Sequence, residues 1–126
     1  MDGKATLVNT LETIDLSVTK TWNDQGNKYN TRPENIHVTV ERSLDGETWT
    51  PVVGNEADLT GTEWSAEFKA LPKVDLTTGK AYQYRVVEKP VNGYSTKPAI
   101  FVGGKAELVN TLDTIDLSVT KTWNDQ

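Results

Sequence analysis

The sequence contains no cysteine, one methionine and one histidine among its 126 residues. Without cysteine there is no disulfide, no thiolate metal site and no cysteine nucleophile. A secreted domain of this size would then need another staple, or none. No apolar run approaches the roughly 18 residues of a membrane span. No leader-like segment stands at the start either, so Met1 is expected to be an added initiator. Basic charge is short as well: 13 Lys+Arg face 18 Asp+Glu, a formal charge of −5. That balance argues against a nucleic acid or an anionic membrane as the main partner. Hydrophobic residues still make up 36% of the chain. They suffice for a core and argue against wholesale disorder.

What is present is a repeat. Residues 3–25 read GKATLVNTLETIDLSVTKTWNDQ, and residues 104–126 read GKAELVNTLDTIDLSVTKTWNDQ. Only Thr6/Glu107 and Glu12/Asp113 differ. The offset of 101 residues, Gly3 to Gly104, marks a tandem array. A deliberately chosen overlap is the other origin of the duplicated ends. The repeat alone leaves its phase open; if the break falls just before Thr13, one complete domain spans residues 13–112. Residues 1–12 are then the last strand of a preceding repeat, with Met1 added. Residues 113–126 are the first strand of a following one.

The strands follow from alternation. Ile14, Leu16, Val18 and Trp22 share one face of the first, and Lys20 lies on that same face. Asn35–Glu41 turns Ile36, Val38 and Val40 inward and His37, Thr39 and Glu41 outward. Asp45-Gly46 predicts a hairpin turn before Thr48–Val53. Thr62–Ala70 places Trp64, Ala66 and Phe68 together, and Leu71-Pro72 is expected to stop it. Ala81–Lys89 aligns Tyr82, Tyr84 and Val86 with Glu88. After the Asn92-Gly93 turn come a short strand, Ala99–Val102, and a last one, Ala106–Leu112. There Ala106, Leu108 and Leu112 share a face with Asn110. No stretch has helical periodicity. The fold class is all-β, an antiparallel β-sandwich.

Lys20, Glu88 and Asn110 thus stand where the pattern asks for apolar residues. An unpaired buried lysine or glutamate costs several kcal/mol, on the order of a domain's whole stability. Such residues either lie at strand ends, with Lys20 snorkelling past Trp22, or satisfy one another in a buried cluster. In the cluster, burial lowers a lysine pKa and raises a carboxyl pKa. A neutral amine is a nucleophile, and a neutral carboxyl can polarise an amide and move protons. The product would be an amide between Lys20 Nζ and Asn110 Cγ, with loss of one ammonia.

Taken together, LSVTKTWND, Phe68-x-x-Leu71-Pro72, the stretch GKAYQYRVVE ending at Glu88 and the ELVNT strand resemble the Cna B-type repeat. This module recurs in surface adhesins and pilins of Gram-positive bacteria. The resemblance covers nearly the whole 101-residue unit. It implies a prealbumin-like, inverse-Ig sandwich whose first and last strands are parallel neighbours. It also implies a spontaneous isopeptide bond, with Lys20 as nucleophile, Asn110 as electrophile and Glu88 as proton shuttle. The role implied is a stalk or spacer of an extracellular, cell-wall-anchored protein, its partners being neighbouring repeats. A bond formed once, within one molecule, does not make the chain an enzyme. No cofactor is expected.

The overlap supplies a second lysine and asparagine of the reactive type, Lys121 and Asn9. They are spare if Lys20 joins Asn110. Alternatively, the end strands swap between copies into head-to-tail assemblies. A ligand-binding adhesin module, engaging a host ligand through loops or edges, is the competing function class. His37 is expected to be a solvated strand residue, not a metal or triad member. Asp15, Asp24, Glu34, Asp45 and Glu47 are scattered carboxylates without calcium-loop spacing. Trp49 is expected at a sandwich edge, and Gly103-Gly104 is read as a turn.

Overall fold

The computed structural model describes residues 3–124. Eight strands form: β1 Thr13–Asn23, β2 Asn35–Ser43, β3 Thr50–Thr60 and β4 Ser65–Pro72, then β5 Gln83–Glu88, β6 Tyr94–Ser95, β7 Ala99–Ile100 and β8 Lys105–Leu112. They make two four-stranded sheets, ordered β4-β1-β8-β6 and β3-β2-β5-β7. All pairings are antiparallel except β1 with β8, which run parallel. The first and last strands are therefore central neighbours, and the chain enters at one end of the sandwich and leaves at the other.

The inward faces are those the alternation predicts. Leu16, Val18, Ile36, Val38, Val40, Tyr84, Val86, Ala106 and Leu108 are buried between the sheets, joined by Leu59, Phe68 and Leu71. Tyr84 donates its hydroxyl to the Pro72 carbonyl at 2.5 Å, tying the second sheet to the end of β4.

Four expectations change. β3 runs on to Thr60 beyond Val53, although Gly54 takes φ 82° and most of its side chains stay exposed. It is an edge strand, so only Leu59 is fully buried and the hydrophobic pattern is thin. β4 starts at Ser65, and Trp64 sits in the preceding turn at φ 51°. β4 also continues through Pro72, which an edge strand tolerates because no partner needs its missing N–H. Its extra residue is a bulge: the register jumps between Ile14 and Leu16, and Asp15 accepts the Ala70 N–H at 2.9 Å. That jump lets both Phe68 and Leu71 face inward. β6 was not visible in the sequence.

Gly104 is required by a close approach. Its φ is +78°, and a Cβ there would lie 2.8 Å from the Asp15 carbonyl oxygen. Gly104→Ala should therefore cost about 1–3 kcal/mol, seen as a lower urea midpoint at unchanged slope.

Residues 3–12 and 113–124 carry no regular secondary structure. Their apolar side chains are exposed: Leu7 is 95% accessible and Val119 94%, whereas Leu108 and Val18, one period away, are fully buried. The same sequence is core in one place and bare in the other.

Candidate functional site

β1 alternates in and out without interruption from Leu16 to Lys20, so Lys20 is carried onto the core face. β8 does the same for Asn110, two residues beyond Leu108. The parallel register pairs Lys20 with Leu108 and Trp22 with Asn110. Asn110 is thus one same-face step further along β8. Glu88 ends β5 in the facing sheet and is buried, as are Lys20 and Asn110.

The three predicted residues converge. Lys20 Nζ lies 2.5 Å from Glu88 Oε2, and Asn110 Nδ2 donates to Glu88 Oε1 at 2.7 Å. One carboxyl group therefore holds the amine on one oxygen and the amide nitrogen on the other. Both side chains of the ion pair are wholly buried. Burial pushes the Lys20 amine below its ordinary value, while the hydrogen bond and charge of Glu88 oppose the shift. Asn110 Oδ1 is buried without a hydrogen-bond partner. The strand-end, solvated alternative for these residues does not apply, because all three side chains are covered.

Aromatic rings close the site. Lys20 Nζ lies 4.8 Å from the Trp22 ring centroid. Trp22 is flanked edge-on by Trp64 at 5.1 Å and Tyr94 at 4.9 Å. Beside them stands a cluster that sequence reasoning missed. Asp24, read above as one of several scattered carboxylates, is buried. Arg32 donates to it twice, Nε to Oδ2 and Nη2 to Oδ1, both at 2.7 Å. Tyr94 donates its hydroxyl to Oδ2 at 2.9 Å, and the Asn27 N–H donates to Oδ1 at 3.0 Å. The Arg32 guanidinium, helped by Tyr94 and Asn27, holds the Asp24 carboxyl well below the usual carboxylate range. This latch folds the 24–32 loop over the end of the sandwich where the cluster lies. The available signal was Asp24-Gln-Gly-Asn27, an Asx-turn composition directly after a strand.

The other candidates find ordinary places. His37 faces outward on β2, with Nδ1 2.7 Å from Asp58 Oδ1. Among the described residues no group of three or more His, Cys, Asp or Glu could hold a metal ion. Asp45 caps its own turn, accepting the Glu47 and Thr48 N–H groups, which lowers its pKa to about 2. Trp49 donates to the Gly46 carbonyl and lies under Arg85 at 4.5 Å, a packed edge position. Asp15 serves the β4 bulge. Asn9 and Lys121 are exposed in the end segments and are not part of the cluster. Lys121 Nζ stacks over Trp123 at 3.9 Å.

A sandwich with parallel first and last strands, bridged inside by Lys, Glu and Asn, defines a class of β-modules. Residues 16–111 match the model of the Cna protein B-type domain, and the chain belongs to that family. It is 35% identical over 117 residues to a collagen adhesin of Staphylococcus aureus, covering 92% of this chain and 9% of that protein. Two B repeat units of the S. aureus collagen-binding protein superpose with TM-score 0.63 at 31% identity, over 81% of this chain and 24% of that one. A pilus adhesin, SpaC of Lactobacillus rhamnosus GG, superposes with TM-score 0.61 over 80% of this chain and 12% of that one. At 20% identity this last match speaks for the fold alone.

Proposed function

We propose that the chain is a stalk repeat of a bacterial surface protein, cross-linked by its own Lys20–Asn110 isopeptide bond. The observation that carries this reading is the bridging carboxyl. Glu88 contacts the attacking nitrogen with one oxygen and the departing nitrogen with the other. Proton transfer across the Lys20–Glu88 contact gives a neutral amine and a carboxylic acid. Burial, which disfavours the ammonium, supports that transfer. The amine attacks Asn110 Cγ, forming an N–C bond. Glu88 delivers the proton to Nδ2, the C–Nδ2 bond breaks, and ammonia leaves. Lys20 passes its second proton to the Glu88 carboxylate, and that proton leaves with the ammonia as ammonium, so Glu88 returns to the carboxylate it began as. Folding supplies the proximity, so the step is intramolecular.

The parallel strand pair gives the bond its use. Tension enters through β1 and leaves through β8. A bond between them carries the load past every residue in between. The relatives are adhesins by name, which supports an extracellular setting for this chain.

Intact mass of the denatured protein tests the chemistry. The expected mass is lower than the sequence mass by one ammonia, and Glu88→Gln should restore the full value. A native mass equal to the sequence mass sinks the proposal. The exposed ends favour a second reading, exchange of strands between copies through Asn9 and Lys121. Covalent ladders on a denaturing gel would be its sign.

A further inference from the structure

The two ends of the domain each hold half of one junction. Glu12 and Asp113 are the same position one period apart. Glu12 shows how that position meets the domain that follows it: its carbonyl accepts the Lys73 N–H at 3.0 Å. This prolongs the β1–β4 ladder one step beyond Thr13↔Pro72. Asp113 shows how the position meets the domain that precedes it. Its N–H donates to the Gly93 carbonyl at 2.8 Å, and its carboxylate accepts the Ser95 hydroxyl. This prolongs the β6–β8 ladder one step beyond Tyr94↔Leu112.

β8 ends at Leu112, and Thr114 is the counterpart of Thr13, where β1 begins. One residue therefore separates the last strand of a repeat from the first strand of the next. Two residues of extended chain reach about 7 Å. Ordinary connections run about 4–6 residues. The following domain must then seat directly on the Asn92-Gly93 turn.

We infer that consecutive repeats are joined through a single residue clamped from both sides, which fixes the rotation between neighbours. Its N–H is held by the Gly93 carbonyl of the repeat it leaves. Its C=O is held by the Lys73 N–H of the repeat it enters. The partner surface is thus a second copy of this domain, meeting the Asn92–Ser95 turn with its own Lys73 loop. The inference rests on the tandem-array reading.

The test extends the full chain in phase, appending a second copy of residues 26–126 after Gln126. The absence of cysteine allows Glu47→Cys in both units to carry the only two spin labels. One narrow distance distribution is expected between them. Inserting Gly-Ser-Gly after Asp113 should broaden it several-fold, and Asp113→Pro, which removes the donor, should broaden it as well. A native junction as broad as the inserted one overturns the inference while leaving the array intact. A second unit that fails to fold, seen as no gain in cooperative melting amplitude, overturns the array reading and the inference with it. In the 126-residue chain, the Lys73 and Asp113 amides should exchange slowly with solvent. Rapid exchange at either also overturns it.

Discussion

Lys20→Met is expected to lower the Tm by about 20–35 °C. The proposed bond closes a loop of about 90 residues, Lys20 to Asn110. A cross-link over that span is worth about 4.7 kcal/mol in the chain-entropy description. In a domain of this size each kcal/mol moves Tm by about 4–8 °C. Methionine keeps most of the stem's volume, so lost packing adds little. The double variant Lys20→Met/Glu88→Gln, which leaves no buried carboxyl without its lysine, separates the cross-link's share from that of an orphaned charge. Glu88→Gln retains both reacting groups but has no acid to move protons, and should fall by a similar amount. Calorimetry paired with intact mass is the check. A Lys20→Met protein melting within about 5 °C of the native one, on the same scale, would leave the bond without a stabilising role. Proteolysis should follow the same ranking, because cleavage tracks the population of open chains.

Asp24→Asn should cost about 2–3 kcal/mol at neutral pH, less than a fully buried pair because Arg32 remains partly open to water. The cost should also depend on pH in a definite direction. The folded Asp24 carboxyl titrates below its unfolded value of 3.8. Its contribution is therefore fully present above that value and is lost as pH falls toward the lower folded value. Native and Asp24→Asn curves of stability against pH should run parallel from about pH 7 to 5 and converge below about pH 4. Curves that stay parallel to pH 2 would show that the latch carboxylate contributes nothing through its charge. Arg32 of the latch lies over Trp22, whose ring in turn faces Lys20, so Asp24→Asn should also slow the proposed loss of ammonia in newly folded protein.

How much of this could be read from the sequence depended on how regular each strand is. β1, β2, β5 and β8 are central in their sheets, and their apolar residues recur at every second position. Their inward faces were legible, and so were the three polar residues carried on them. Lys20, Glu88 and Asn110 stood out because they broke a pattern that was otherwise kept. The edge strands gave no such pattern. β3 carries on past Gly54 and Asn55, which lie in a register shift, because Glu56–Thr60 pair with β2 again, a cause that does not show in its own residues. β4 hides a bulge, so the period slips between Phe68 and Leu71. Asp24 and Arg32 lie in a loop, where alternation has no meaning. Their meeting with Tyr94, 70 residues from Asp24, is set by tertiary structure.

The parallel pairing of β1 and β8 also sets how far such a tether can lengthen. With Lys20 joined to Asn110, each 101-residue period becomes a closed ring of about 90 residues bearing two short arms. Even if every hydrogen bond in the ring broke, only the arms could be drawn straight. At about 3.4 Å per residue they give some 35–40 Å plus the bridging side chains, against roughly 340 Å for an unlinked period. A load pulling on an array of such cross-linked repeats would meet a cord of nearly constant length.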